Sequence, residues 1–345
     1  MIEPVEDGGE FARQAAIARN MGSHFVVRIL DAGLRQLGRA PRTAALIRDW
    51  PANRGDDAVA LRFNGALHAL AMRAGTPALA ALYRDLDGDF DAVLADTLAR
   101  EDDFIANWMA GPPQTNEVGR AAAIMAALAA AAGRFGLPFE LLELGSSAGL
   151  NLNLARYGYD LGGVRAGDPG STVQITPEWR GGPPPPAPVQ VRSVRGVDVA
   201  PLDVGEEAAR ERLLAYVWAD DLPRARRLEA AIAIARAHPP RIDRDDAADW
   251  VAARLAKPQD EGVCRAVFHS IVLQYLSPKG RAAVRSAIEA AGGRATASRP
   301  LAWISYEWDA ARSKVVLRLT TWPDGAEREL ATCQAHSAWI EWRTA

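Results

Sequence analysis

The spacing of apolar residues changes character at Gly111-Pro112-Pro113, and no other feature constrains the fold as strongly. Before that point, apolar residues recur at three- and four-residue steps over 11–19, 25–37, 58–74, 77–82 and 89–109, the period of amphipathic helices. Breakers at Trp50-Pro51-Ala52-Asn53-Arg54-Gly55 and Gly75-Thr76-Pro77 separate them, and nothing there has the pattern of a strand. Beyond it, short apolar runs at 139–144, 189–197, 241–244, 263–269 and 301–306 read as strands. Helical stretches fall at 116–134, 206–216, 223–237 and 278–291. The last of these has Ser277 as N-cap, Pro278 at its first position and Gly292-Gly293 as its stop. Strands alternating with helices predict a mainly parallel sheet covered on both faces. At the end, 315–321 and 327–333 flank the turn signal Trp322-Pro323-Asp324-Gly325 and predict an antiparallel hairpin.

Composition excludes several classes of function. With 40 basic and 43 acidic residues and a net charge of −3, the chain has no global attraction for nucleic acid or anionic membrane. Arg224, Arg226 and Arg227 form the densest basic cluster, and we expect them on a solvated helix face. Cys264 and Cys333 lack metal-ligand spacing and read as reduced, buried thiols. The N-terminus has no apolar core of a secretory signal. The most apolar window, 121–132, reads as too short for a bilayer span. These features predict a soluble, cytoplasmic protein whose partner is a small molecule; they leave its oligomeric state open.

One stretch stands apart. Leu141-Leu142-Glu143-Leu144-Gly145-Ser146-Ser147-Ala148-Gly149-Leu150 is an apolar run that ends on a carboxylate and opens into small residues, followed by Asn151. In open parallel sheets ligands bind beyond the carboxyl ends of the strands. Glycines there let backbone approach a ligand, and a carboxylate accepts hydrogen bonds from a hydroxyl or an amine. The GxGxxG spacing of pyrophosphate binders is absent.

The arrangement Glu143-x-Gly145-x-Ser147-x-Gly149 resembles motif I of the class I S-adenosylmethionine-dependent methyltransferases. The resemblance implies that this turn, with Ser146 and Asn151, cradles the amino-acid part of S-adenosylmethionine. Further motifs follow in the family's order. Asp198 in Arg195-Gly196-Val197-Asp198-Val199-Ala200-Pro201 falls at the end of the second strand, where the family's acid binds ribose. Asp245 and Asp246, with Ala247, resemble the third-strand ending that meets the adenine amino group. The stretch from Ala266 to Pro278 resembles the fourth strand and the loop bordering the reaction centre. The hairpin resembles the family's last two strands.

This likeness spans roughly residues 116–335. The switch in periodicity predicts an all-helical N-terminal cap domain over 1–113, and the likeness implies that a Rossmann-like methyltransferase domain over 114–345 follows it. That domain would hold a seven-stranded sheet with an antiparallel terminal hairpin. Three departures stand out. Ser147 replaces a glycine. Glu143 and Asp198 lie 55 residues apart, far beyond the usual twenty or so, so about 160–190 is an insertion containing an extended proline loop. The link from Tyr306 to Val315 is too short for a helical crossover. The whole chain, through Thr115-Asn116-Glu117-Val118-Gly119-Arg120, Gly167-Asp168-Pro169, Glu178-Trp179-Arg180-Gly181-Gly182 and its final tryptophans, is also similar to a bacterial family labelled domain of unknown function 2332. That label carries no activity.

Methyl transfer needs an aligned nucleophile and sometimes a base. His269, at a strand end, is the candidate base, with Gln274 and Tyr275 as substrate-orienting groups. Arg120, near the helix-capping Asn116, is a candidate carboxylate ligand, with Glu117 beside it. Asn64 and His68, four apart on one helix face, and Glu178-Trp179 are candidates for covering the substrate. No metal motif is present. Two alternatives stand beside this expectation. One is a methyltransferase-like protein that binds a ligand or partner without catalysis. The other is a serine hydrolase, because Gly145-x-Ser147-x-Gly149 satisfies GxSxG literally, with His336 after Asp324 or Glu327 to complete a triad.

Overall fold

The computed structural model describes residues 8–343 except residue 56. Its α-helices are α1 (Gly8–Asn20), α2 (His24–Gln36), α3 (Pro41–Arg48), α4 (Val59–Met72), α5 (Pro77–Asp85), α6 (Phe90–Ala110), α7 (Ala121–Phe135), α8 (Glu207–Ala215), α9 (Leu222–Ala237), α10 (Ala247–Leu255) and α11 (Pro278–Gly292). Its strands are β1 (Phe139–Leu144), β2 (Gly158–Leu161), β3 (Val164–Gly167), β4 (Gln174–Ile175), β5 (Glu178–Arg180), β6 (Val191–Asp198), β7 (Ile242–Arg244), β8 (Cys264–Ser270), β9 (Leu301–Trp308), β10 (Val315–Trp322), β11 (Ala326–Cys333) and β12 (Trp339–Trp342). The chain divides into two units, Met1–Thr115 with Glu206–Arg226, and Asn116–Gly205 with Arg227–Ala345.

The first unit is helical. Ser23 and Asp89 cap α2 and α6 by accepting from Val26 N–H and Ala92 N–H, and Pro41 and Pro77 open α3 and α5. Phe11, Phe25, Ile29, Leu30, Phe63, Leu67, Leu94 and Leu98 form its core. Residues 206–226, which the alternating pattern assigns to the second domain, complete this core instead through Ala215, Tyr216 and Trp218. Polar contacts fix them there. Arg73 grips Glu211 with two bonds of 2.6 and 2.9 Å, and Ser23 Oγ donates to Asp220 at 2.8 Å. The Tyr216 ring lies so close to Gly65 that an added Cβ would sit 2.7 Å from it.

The second unit is built on a nine-stranded sheet of order β5-β12-β11-β10-β9-β8-β1-β6-β7. Strands β7, β6, β1, β8 and β9 run parallel, and β10, β11 and β12 continue as an antiparallel meander. The hairpin is therefore as expected, and the short link after β9 joins antiparallel neighbours. The strand count corrects the expectation of seven, because β12 and β5 extend the edge. Helix α7, buried throughout Ala121–Ala132, packs on β9 and β10. On the sheet, Leu142, Leu144, Val197 and Val267 pack with Trp250 and Val251 of α10 and Val284 and Ile288 of α11.

Residues 118–135 form an 18-residue stretch apolar and long enough to cross a membrane by composition, which corrects the shorter window; 83% of it is buried inside the protein. Between β1 and β6 the insertion forms a three-stranded sheet, β3-β2-β4, and then β5. Glu178 and Trp179 are thus an edge strand, Trp179 stacking on Trp342 at 5.7 Å, and not a flap.

Candidate functional site

Strand order reverses at β1, which has β6 on one side and β8 on the other. Leu144 pairs with both Val197 and His269, so the three strands end level. The turn that follows β1 is left-handed at alternate residues, with φ +68° at Gly145, +53° at Ser147 and +69° at Gly149. Ser146 N–H donates to Val197 O and Gly149 N–H to Ser146 O, which holds it shut. The bare faces of the glycines are filled by the protein itself. A Cβ on Gly145 would lie 2.5 Å from Val272, and one on Gly149 2.8 Å from Ile242 and Pro240. The chain continues as a 3-10 helix, Leu150–Arg156, rather than an α-helix.

Buried polar groups gather beside this turn. Glu143 is 2% exposed and its Oε2 has no partner. Burial pushes its carboxyl well above the ordinary 4.5; Asp198's charge adds to the effect and a Ser146 hydrogen bond opposes it. Asn151 Nδ2 donates to Glu117 O at 3.4 Å, while its buried Oδ1 has no partner. Glu117 Oε1 accepts from Gly119 N–H and pairs with Arg227 at 3.5 Å, and Arg227 Nε is likewise buried without a partner. Asn116, expected to cap α7, instead accepts from Leu150 N–H. Arg120 donates to the carbonyls of Ala335 and Ser270, tying the chain termini of β8 and β11 to α7. It therefore holds backbone in this structure.

The three aspartates have structural partners. Asp198 Oδ2 accepts from Ser147 N–H at 2.8 Å and Oδ1 from Ala200 N–H at 2.9 Å. Asp246 caps α10 through Ala248 N–H and Asp249 N–H, and Asp245 Oδ1 accepts from Asp246 N–H. Asp198 alone joins the β1 turn directly.

His269 is fully buried, with both ring nitrogens engaged. Nε2 accepts from Trp303 Nε1 at 2.9 Å, so Nδ1 carries the proton and donates to Glu307 Oε1 at 2.7 Å. The same Glu307 oxygen accepts from Val272 and Leu273 N–H. His269 thus holds the loop after β8, and in this arrangement neither ring nitrogen is open to a substrate. Ile271 in that loop is left-handed at φ +56°, a strained state for a β-branched residue. Gln274 and Tyr275 lie on the next 3-10 turn, Tyr275 65% exposed. Sequence reasoning missed Glu307 and placed Arg227 on a solvated helix face; it instead pairs with Glu117. An acid inside the apolar run of β9 was the signal for the first.

Other candidates resolve similarly. His68 is half-buried, donates toward Ala215 O and stacks on Tyr83; desolvation by its surroundings lowers its pKa to about 4. Asn64 is buried in α4. Of the basic cluster Arg224 is 7% exposed, Arg227 is half-buried and Arg226 is exposed, so only Arg226 lies on a solvated face. For the hydrolase alternative, Ser147 has a strained φ, but both acids named for the triad are engaged elsewhere, Asp324 with Arg134 at 2.7 Å and Glu327 with Thr320 at 3.5 Å. Among the described residues no cluster of histidine, cysteine and acids forms a metal site.

No curated protein and no solved structure matches this chain. Residues 9–342 match the family described as "uncharacterized protein conserved in bacteria (DUF2332)", and the chain belongs to that family.

Proposed function

We propose that this chain binds S-adenosylmethionine at the carboxyl ends of β1 and β6 and transfers its methyl group to a small molecule. The order β7-β6-β1-β8-β9 is third-second-first-fourth-fifth among the parallel strands, the order of doubly wound nucleotide-binding sheets, whose ligands lie where the order reverses. A Rossmann-like assignment of this sheet rests on that order.

The observation that carries the proposal is the trio of buried, unpartnered atoms: Glu143 Oε2, Asn151 Oδ1 and Arg227 Nε. Asn151 Oδ1 accepts, Arg227 Nε donates, and the neutral Glu143 carboxyl can do either. Each costs about 1–3 kcal/mol while unpaired. An amino-acid headgroup, which brings N–H donors and carboxylate oxygens, complements all three. Asp198 fits a ribose: each oxygen already accepts one backbone N–H, and each retains a second acceptor site for a hydroxyl. The residues thus fit this cofactor through their polar side chains, while Gly145 and Gly149 serve the packing of the turn.

The cofactor supplies an electrophilic methyl group when bound. The chain's contribution is alignment. Asp198 is held rigid by two N–H groups, and Gln274 and Tyr275 are the candidates for orienting the acceptor. Proton removal does not fall to His269. That engagement favours a second reading, binding without catalysis.

Incubation with methyl-labelled S-adenosylmethionine and a fractionated bacterial small-molecule extract separates the two. Label transferred to a small molecule, with release of the demethylated cofactor, supports transfer. Saturable binding with no transfer to any fraction supports the second reading, and absence of both binding and transfer defeats each.

A further inference from the structure

A groove of about 590 Å³ lies along β6, between the 3-10 helix Leu150–Arg156 and the segment after α9. It runs along the start of β6, where Val191 pairs with the first residue of β1, and reaches Pro240, which packs against Gly149 of the turn. A hollow of about 280 Å³ adjoins it and shares Arg156 and His238. The first volume falls in the range of small-molecule sites.

Its lining divides by chemistry. Leu152, Val191, Val194 and Pro240 are buried or half-buried and give an apolar floor. Arg156, Arg192 and His238 are exposed at its edge. Arg156 makes no ion pair or side-chain hydrogen bond among the described residues. Arg192 pairs with Asp260 at 3.0 Å, but these side chains are 56% and 70% exposed. Such a surface pair is held weakly and exchanges readily for a better anion. Asp168, the acid lining the adjoining hollow, has one oxygen on Gly170 N–H of its own loop.

We propose that this groove binds a small organic phosphate, its carbon body on the apolar floor and its phosphate on Arg156 and Arg192. Guanidinium forks match phosphate oxygens in geometry as well as charge. The floor selects for a ligand with an apolar body over inorganic phosphate. The site does not depend on the methyl-transfer proposal, although Pro240 of its floor packs against Gly149 of the β1 turn.

Phenyl phosphate is the probe, titrated into the full chain while the ring signals of His238 are followed by NMR and assigned with a His238→Asn variant. The expected result is a saturable shift of those signals. Arg156→Gln should weaken binding about tenfold or more, the loss of charge-assisted bonds. Arg236→Gln, at an exposed position of α9 outside the lining, should leave it unchanged. A shift that never saturates, or equal weakening by the two substitutions, overturns the proposal.

Discussion

Glu143→Gln tests whether the acid at the end of β1 is neutral in the folded protein. The unfolded carboxyl releases its proton near the ordinary value of 4.5, and burial raises the folded value well above it. Between these two values the unfolded state binds fewer protons than the folded state. Stability therefore falls as pH rises across that window, by about 1 kcal/mol per pH unit. Below the unfolded value both states are protonated and the penalty vanishes. Glutamine keeps the shape of the neutral acid and removes the titration. Urea unfolding at several pH values, followed by tryptophan fluorescence, should find parent and variant similar near about pH 4, with the parent losing ground to the variant as pH rises through the window. The exposed acids titrate equally in both proteins and cancel in the difference. A parent–variant difference that stays constant over this range would refute the reasoning: Glu143 would then ionise alike folded and unfolded.

Two further outcomes follow from the packing. His269→Ala should destabilise the protein by about 3 kcal/mol or more, because it leaves a cavity and strips Trp303 Nε1 of its buried acceptor; a loss under about 1 kcal/mol in urea unfolding would show that the histidine does not hold this loop. A fragment ending at Pro113 lacks Ala215, Tyr216 and Trp218 of its own core and should melt without a cooperative transition by circular dichroism, whereas a sharp transition in that fragment alone would contradict the part given to residues 206–226.

Helices α1, α2, α4, α5 and α6 were legible because their apolar residues repeat at helical steps, and β1, β6, β8 and β9 because they are short apolar runs. Helix α3 escaped notice, being only eight residues long. Periodicity identifies an apolar face but not what covers it, so the destination of α8 was not readable. The pairing of β5 with β12 joins segments distant in sequence, and no local pattern records it. At the site, the acid, the small residues and Asp198 stood out locally. The fate of His269 did not. It pairs in register with Ser305, which places Trp303 and Glu307 two residues to either side and on one face. That geometry exists only once two strands are aligned. Arg227 likewise meets Glu117 across a long stretch of chain.

The central claim is that unpartnered groups at the end of β1, with Asp198, recognise S-adenosylmethionine. Calorimetric titration of S-adenosylmethionine into the parent and into a folded Asp198→Ala variant tests it most directly. One saturable site is expected in the parent, weakened in the variant by about 1–3 kcal/mol, because ribose hydroxyls lose their acceptor. No saturable heat in the parent, or equal affinity in the two folded proteins, would contradict it.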